Sequence, residues 1–475
     1  MHERTFTLGD QSTFARLSGD HNPMHVDPLA ARRLLYGRPV VHGIHCVLWA
    51  LNLWLEKQPG QVSLRFIKVS FLRPVKVDEQ VQCSVISEKD RKVRLELTSG
   101  GLVTTRILFE WASAPLGGSQ PIVLRTPEER PPRDLARDAI EAAAGALDLS
   151  LDLELALRCF PEVMRGLGPL PVAVLAGSSR LVGMECPGLN SIFSELSLSA
   201  DAAGDAPPQL RYEVTEFSGH YGLVRMRVTA PGLAGTIQAL VRPPPQPQAT
   251  FATLSQLVGG QEFTGQRALV VGGSRGLGEV TAKLLCAGGA HVHLTYHLGQ
   301  AEAARVIADI TAHGGVARCS QRNVLALENH PTLEAGEAGT PTHLYYFATP
   351  AITPGLAQQF SSDLFRLFCD YYVAGFARTA EHFLRLGVKN FYYASTVHVE
   401  EPPPNLAEYA AAKMAGENVC RFLEKNHPGL QIARPRLPKM ATDQTASLIP
   451  AGTPEPGPIL LASLRAYHGA TRGPG

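Results

Sequence analysis

Residues 14–31 read FARLSGDHNPMHVDPLAA and place a carboxylate, Asp20, five positions before an imidazole, His25. Gly19 tolerates unusual backbone angles, and Pro23 disfavours helix at the residue before it, so the pattern predicts a tight loop. A carboxylate and an imidazole that face one pocket can hold a water molecule, or take and return a proton. Taken alone, such a pair more often only braces a turn.

The whole string resembles the signature of the MaoC-like, R-specific enoyl thioester hydratases and dehydratases, which have the hot-dog fold. An aromatic residue leads into Ser-Gly-Asp, then Asn-Pro, then His, in the order found in that family. Met24 is a mild departure, because a branched aliphatic residue is more usual there. The resemblance implies that Asp20 and His25 form the catalytic pair and that Asn22 helps to orient them.

Composition narrows the class of protein. A chain of 475 residues suggests two or three domains, and a formal charge of +1 gives no electrostatic case for a nucleic-acid or membrane partner. No apolar run reaches the length of a membrane span, and the start of the chain does not read as a secretory signal. The eight cysteines form no Cys-x-x-Cys pair. We therefore expect a cytoplasmic protein without a metal site.

An internal repeat divides the first half of the chain. The stretch VRLELT at 93–98 returns as VRMRVT at 224–229, and the Gly-Leu that follows each copy keeps the same offset of 131 residues. Both copies alternate apolar and polar residues, as a half-buried strand does, although chance similarity of strands is the alternative. Duplication predicts two hot-dog units, a catalytic one at 1–117 and a degenerate one at 118–245.

Each unit is expected to wrap a curved sheet around a helix. Residues Gly43–Glu56 are apolar nearly all round and predict a buried helix. Its free N–H groups can polarise a thioester carbonyl, and the family resemblance supports such an oxyanion site with the Gly43 amide as donor. We interpret His42 and His45 as structural. The second hot-dog repeat, with the shorter apolar segment Pro169–Ala176, is expected to close the substrate tunnel without supplying chemistry.

A proline-rich segment assigned to 246–261 is expected to link this half to a domain at 262–475 in which strands and helices alternate, as in a parallel α/β sheet. Residues 268–271 predict a buried strand, a glycine-rich turn begins at Gly272, and a helix is predicted over 279–286. Such a turn lets the backbone approach a pyrophosphate, which then rests on the helix N-terminus.

The spacing Gly-x-x-x-Gly-x-Gly resembles that of the short-chain dehydrogenases and reductases over about residues 262–445, which implies a Rossmann fold. No Asp or Glu ends the next strand to hold a ribose hydroxyl, while Arg275 can meet a 2′-phosphate, so NADPH is favoured over NADH. The predicted cofactor contacts are Gly272, Ser274, Arg275, Gly276, Leu277, Gly278, Tyr296, His297, Asn323 and Thr442.

A second set of reactive residues follows. Tyr409 and Lys413 share a helix face one turn apart, and Ser395 precedes them at the end of a predicted strand. The lysine and the charge of the bound cofactor are expected to lower the tyrosine pKa, so that Tyr409 protonates a carbonyl oxygen to which Ser395 also hydrogen-bonds. Alone, Tyr-x-x-x-Lys is common on surface helices. The Asn that completes the family's proton relay has no counterpart, and Tyr372 is near its place, so other groups resupply protons or turnover is slow.

The predicted fold is therefore an α+β double hot-dog followed by an α/β Rossmann domain with a doubly wound parallel sheet. The two chemistries together suggest reduction of a 3-ketoacyl thioester and dehydration of the product, on CoA or an acyl carrier protein, in fatty-acid or polyketide-like assembly. The alternatives are the oxidative direction with NAD, an inactive reductase-fold scaffold, and two unrelated substrates. A homo-oligomer is the family expectation.

Overall fold

The structure, a computed structural model, describes residues 2–113, 123–201, 207–326, 339–355, 359–445, 447–448 and 452–472. The Pro- and Gly-rich seam at 114–121, which contains the predicted boundary between the two repeats, lies outside these residues. The chain divides into two compact units. One comprises residues 1–244 with 447–450, and the other comprises residues 245–446 with 451–475.

The first unit is built on one antiparallel sheet of ten strands. In chain order they are β1 His2–Thr5, β2 Val62–Phe71, β3 Gln80–Lys89, β4 Lys92–Ser99, β5 Leu102–Ser113, β6 Ala144–Asp148, β7 Ser191–Ala200, β8 Gln209–Ser218, β9 Leu223–Ala230 and β10 Leu233–Val241. Their spatial order is β1-β3-β4-β5-β2-β7-β10-β9-β8-β6.

That order reads the same from both ends once the halves are matched. Strand β2 pairs antiparallel with β7 at the centre, and each then continues through the corresponding neighbours of its own half. The repeated sequence lies in β4 and β9, and each of these strands pairs antiparallel with the strand that follows it along the chain. The first pair has a register shift between Leu97 and Thr98 that the second pair lacks. The sequence repeat is therefore a repeat of strand topology.

The helices of this unit are α1 Leu8–Ser18, α2 Pro23–Val26, α3 Pro28–Ala31, α4 Gly43–Leu55, α5 Arg137–Glu141, α6 Leu153–Cys159, α7 Pro161–Leu167 and α8 Pro169–Arg180. The long helices α4 and α8, one in each half, pack on the sheet. Helix α4 is buried along most of its length, as its uniformly apolar sequence predicts. Helix α8 runs beyond the predicted Ala176 and continues as a π-helical turn at Leu181–Glu185.

The second unit contains a parallel sheet. The strands of this unit are β11 Arg267–Val271, β12 His291–Tyr296, β13 Ala317–Gln321, β14 His343–Tyr346, β15 Asn390–Tyr393, β16 Ser395–Thr396, β17 Gln431–Ala433 and β18 Arg436–Leu437. Six of them form the sheet, in the order β13-β12-β11-β14-β15-β17. Strands β16 and β18 form a separate parallel pair. The order is that of a Rossmann fold, and its reversal point lies between β11 and β14.

The helices of the second unit are α9 Phe251–Ser255, α10 Gly276–Ala287, α11 Gln300–Thr311, α12 Ser362–Cys369, α13 Phe376–Arg385, α14 Ala407–Asn426 and α15 Pro456–Arg472. Helix α10 begins three residues before the predicted start. The predicted linker is wrong in part, because Phe251 and Leu254 of α9 are buried in the core of this unit. Two apolar side chains one helical turn apart outweigh the composition of the surrounding segment.

No single helix among the described residues is long and apolar enough to cross a membrane. The bent pair Pro161–Leu167 and Pro169–Glu185 meets the requirement by length and composition only, with an angle of 118° between its parts.

Candidate active sites

The loop after α1 brings the first predicted pair together. Gly19 ends α1 at φ +79°, the left-handed conformation that glycine favours, and this turns Asp20 into the interior. Asn22 caps α2 by accepting a hydrogen bond from the Met24 amide, and His25 follows on α2. Asp20, Asn22 and His25 are all buried.

His25 presents a basic nitrogen to this site. Its Nδ1 lies 2.7 Å from the carbonyl oxygen of Val40. Because a carbonyl only accepts, Nδ1 carries the proton and Nε2 keeps its lone pair. Burial lowers the pKa of His25, against the opposing effects of the Asp20 carboxylate and the Val40 carbonyl. The neutral ring is therefore the form present at neutral pH.

Asp20 lies in the same cavity with several hydrogen-bond donors around it. The Ser179 hydroxyl donates to its Oδ2 over 2.6 Å, and the Asn22 amide donates to its Oδ1 over 3.3 Å. Burial raises the pKa of Asp20, while His25 and these two donors act in the opposite direction. The donors keep a deeply buried carboxylate usable as a proton acceptor.

The second repeat, expected to close the tunnel without supplying chemistry, also contributes a hydrogen-bond donor to Asp20. Ser179 belongs to α8, and Gly183 in the π-helical turn packs so close that a Cβ there would lie 2.3 Å from Asp20 Oδ1. The Asn22 side-chain amide donates to the Gly183 carbonyl over 2.8 Å, not to the side chain of Asp20 or His25. Ser179 has no motif around it, and only the duplication pointed to this region.

His42 and His45 occupy structural positions. His42 stacks on His25 with ring centroids 3.8 Å apart, and its two nitrogens face Gln11 Oε1 at 2.9 Å and the Asp20 carbonyl at 3.0 Å. His45 stacks on Phe14, and burial lowers its pKa to about 3.

One carboxylate oxygen of Asp20 and one ring nitrogen each of His25 and His42 lie within 4.8 Å of one another. This spacing by itself would suit a metal ion. Both nitrogens of His42 already face oxygen acceptors, however, and both carboxylate oxygens of Asp20 accept hydrogen bonds. We therefore assign these three residues to a hydrogen-bond network.

Gly43 opens α4 beside the pair. No side-chain cap occupies this helix start, which leaves its backbone N–H groups free to donate to a ligand. A Cβ at Gly43 would lie 2.6 Å from the Phe71 ring, so a side chain there would require that ring to move. Asp20, His25 and Gly43 line one cleft with about 990 Å³ of empty space, part of it open to solvent. The cleft therefore brings a carboxylate, an imidazole and the uncapped start of a helix together.

The glycine-rich turn of the second unit lies where the sequence predicts, between β11 and α10. Gly278 packs so tightly that a Cβ would lie 2.2 Å from the Gly272 carbonyl oxygen. Gly276 starts α10 at φ +58°, and Arg275 before it forms no side-chain cap. A Cβ at Gly276 would lie 3.8 Å from Thr442, so this predicted contact lies beside the turn. The uncapped helix start and its glycines fit a pyrophosphate.

The other predicted cofactor contacts lie at the same edge of the sheet. Tyr296 ends β12 with His297 after it, and Asn323 follows β13, where its side chain accepts from the Leu325 amide. Parallel neighbours end at one edge, so these residues and the glycine turn share it. Ser274 is buried, and Leu277 is partly buried in α10. The Arg275 guanidinium lies 3.7 Å from the Asp443 carboxylate, so a 2′-phosphate would have to compete with that pair.

The second set of reactive residues has surroundings that the sequence does not predict. Burial raises the pKa of Tyr409 to about 12, against the lowering expected from Lys413 and the bound cofactor. The Ser395 hydroxyl donates to Glu417 over 2.6 Å. Thr396, the next residue, forms the side-chain hydrogen bond to Tyr409. The sequence offered a hydroxyl at either position, and only the backbone path decides which one faces the tyrosine.

Lys413 is buried behind the tyrosine. Its Nζ donates to the Ala394 carbonyl over 2.6 Å and lies 4.0 Å from the ring centroid of Tyr372. Burial lowers the lysine pKa to about 7. Tyr372 donates or accepts a hydrogen bond to Thr349 over 2.5 Å, so it contacts the lysine through its ring. The Lys413 side chain is thus held by a main-chain carbonyl and by the face of an aromatic ring.

Comparison with known proteins supports the first site. The family described as MaoC like domain matches residues 1–106. Protein MaoC of Klebsiella aerogenes is 35% identical over 81 residues, which are 17% of this chain and 24% of that protein. The (R)-specific enoyl-CoA hydratase of Aeromonas caviae is 34% identical over 83 residues, 17% of this chain and 62% of that protein. The chain thus spans less than two thirds of either relative.

Solved structures also resemble part of the chain. A short chain dehydrogenase from Burkholderia cenocepacia in complex with NADP is 23% identical, covers 43% of this chain and 91% of its own, and has a TM-score of 0.37. The expectation of a MaoC-like domain at the amino terminus is confirmed by the family match. The Rossmann fold rests on the strand order of the second unit itself.

Proposed function

We propose that the chain is a bifunctional enzyme that reduces a 3-ketoacyl thioester with NADPH and dehydrates the resulting 3-hydroxyacyl thioester, and that its first unit is a double hot-dog. The observation that carries the proposal is the convergence of Asp20 and His25 in one buried cleft, with Nε2 of His25 unprotonated. The cleft also contains Gly43 at the free start of α4.

In the hydration direction, one water molecule is held by two hydrogen bonds, one donated to the Asp20 carboxylate and one donated to His25 Nε2. Its oxygen then forms a bond to C3 of the enoyl thioester, one O–H bond breaks, and the pair returns that proton at C2. Dehydration is the reverse: the pair takes a proton from C2 and delivers it to the hydroxyl that leaves C3 as water. The Gly43 amide stabilises the charge that develops on the thioester oxygen.

The second unit is proposed to hold the nucleotide at the glycine turn. The backbone of Gly272–Gly278 and the start of α10 would hold the pyrophosphate, and Tyr296, His297 and Asn323 would line the adenosine end. A nicotinamide nucleotide held there would supply the hydride for the carbonyl carbon. Tyr409, hydrogen-bonded to Thr396, then donates its phenolic proton to the carbonyl oxygen. The absence of a carboxylate at Tyr296 and His297 supports NADPH over NADH.

Three observations favour a second candidate, in which the reductase fold binds nucleotide without turnover. Ser395 is engaged by Glu417, Lys413 is engaged by the Ala394 carbonyl, and the pKa of Tyr409 is raised rather than lowered. The carrier of the acyl group, CoA or a carrier protein, the oligomeric state and the cytoplasmic location stay predictions.

The proposal is tested by steady-state kinetics of the purified chain with 3-ketoacyl and trans-2-enoyl thioesters, on CoA and on carrier protein, with NADPH and NADH. We expect hydration of the enoyl thioester, and oxidation of NADPH in preference to NADH. Nucleotide binding without oxidation would favour the scaffold. A preference for NAD⁺ and hydroxyacyl substrate would favour the oxidative direction, and no hydration of any enoyl thioester would contradict the proposal.

A further inference from the structure

The second half of the ten-stranded sheet does more than complete the fold. We infer that Ser179, on the helix of the half without the motif, is a positioning residue that holds the Asp20 carboxylate in its charged form and in its reactive orientation. This inference rests on the proposed function of the Asp20–His25 pair. It means that the degenerate half contributes a positioning residue to the proposed hydratase site.

The Ser179 hydroxyl is committed to the carboxylate. It lies 2.6 Å from Asp20 Oδ2, and since an ionised carboxylate only accepts, the hydroxyl donates. Its neighbour Ser178 shows the ordinary alternative for a buried serine in a helix, because the Ser178 hydroxyl donates to the Leu175 carbonyl of its own helix over 2.7 Å. Both serines are buried. Two adjacent serines therefore have the same chemistry and different partners.

The backbone beyond Ser179 is shaped to admit the carboxylate. The π-helical turn Leu181–Glu185 follows α8, and such turns often occur at functional sites. Within it, Gly183 leaves a space that a Cβ would fill at 2.3 Å from Asp20 Oδ1. The side-chain amide of Asn22 also donates to the carbonyl oxygens of Gly183 and Leu189, over 2.8 and 3.2 Å. The loop that carries Asp20 is thus anchored on the same segment.

Apart from the Ser179 hydroxyl, four ionisable groups lie around Asp20. His21 and His25 come from its own loop, His42 comes from the start of α4, and Arg180 follows Ser179 on α8. Burial raises the pKa of the carboxyl, and the Ser179 donor opposes that effect. Replacing Ser179 with alanine removes the donor and leaves the four ionisable groups in place. The change isolates the contribution of the hydroxyl.

The experiment is a pH–rate profile for hydration of a trans-2-enoyl thioester by wild type, Ser179→Ala and the matched control Ser178→Ala. Both acceptors must be unprotonated, so the rate falls as the pH is lowered. Loss of a donor to a charged group is expected to move this acid limb upward by about one to two pH units, with kcat affected more than KM. Ser178→Ala keeps the wild-type limb.

A Ser179→Cys variant keeps nearly the same volume and a weaker donor, and it is expected to give a smaller shift in the same direction. Unshifted profiles in both Ser179 variants, together with an inactive Asp20→Asn, would overturn the inference and leave the proposed function intact. Shifts of equal size in Ser178→Ala and Ser179→Ala would also overturn it. Absence of hydration by the wild type would instead overturn the proposed function itself.

Discussion

The two candidate sites differ in where their reactive groups point. In the first unit, Asp20 and His25 face a cleft, and each is held by partners on its other side. In the second unit, Ser395 and Lys413 are turned toward Glu417 and a main-chain carbonyl. A motif fixes which residues stand near each other along the backbone. Whether the side chains converge depends on which acceptors the surrounding fold leaves beside them.

The largest effect separates the sites outright. Asp20→Asn removes an acceptor for the water proton, and we expect hydration to fall by about 10²- to 10⁴-fold while reduction is unchanged. The matched control is Asp27→Asn, an exposed carboxylate that caps α3 a few residues away and can be replaced by another good cap. The rates of hydration and of NADPH oxidation are measured on the same preparation. Equal hydration by the two variants would show that Asp20 takes no part.

The reverse change concerns the second site. Tyr409→Phe removes the only group placed to give a proton to the carbonyl oxygen in this proposal, and reduction is expected to fall by at least about 10²-fold with hydration retained. The control is Tyr221→Phe, at an exposed tyrosine of the first unit. Loss of both activities in a folded Tyr409→Phe protein would contradict two separate sites. Undiminished reduction would assign the proton to another donor.

A smaller effect sharpens the assignment inside the second site. Thr396→Val removes the hydroxyl that bonds Tyr409. We expect the rate of reduction to fall by about tenfold, because one hydrogen bond contributes about 1 kcal/mol or somewhat more. Ser395→Ala removes a donor to Glu417, a carboxylate that Arg436 also binds through Nη2 at 2.8 Å. It is expected to change the stability of the domain more than kcat. A larger loss of kcat in Ser395→Ala would restore the assignment made from sequence.

Much of the fold could be predicted from the sequence, for physical reasons. Alternating strands repeated at a fixed offset imply a repeated topology, and β4 and β9 hold equivalent places in the strand order. The glycine turn is recognisable because close packing of Gly278 on Gly272 excludes any side chain. The loop with Asp20 and His25 was predictable because its turn residues, cap and reactive groups lie within one short stretch.

The remainder depends on contacts between residues far apart in sequence. Ser179 meets Asp20 across 159 positions, and no local pattern encodes that distance. The shifted pKa values of Tyr409 and Lys413 come from burial, which a spacing of four residues does not report. The choice between Ser395 and Thr396 turns on a single step along the backbone. A sequence motif gives the candidates, and packing decides among them.

The central claim, that two independent sites act on successive forms of one substrate, is tested most directly by mixing Asp20→Asn and Tyr409→Phe proteins and supplying a 3-ketoacyl thioester with NADPH. Each variant alone is expected to yield almost no enoyl thioester, and the mixture is expected to form it, because each protein supplies the step that the other lacks. A mixture that forms no more enoyl thioester than either variant alone would contradict the claim.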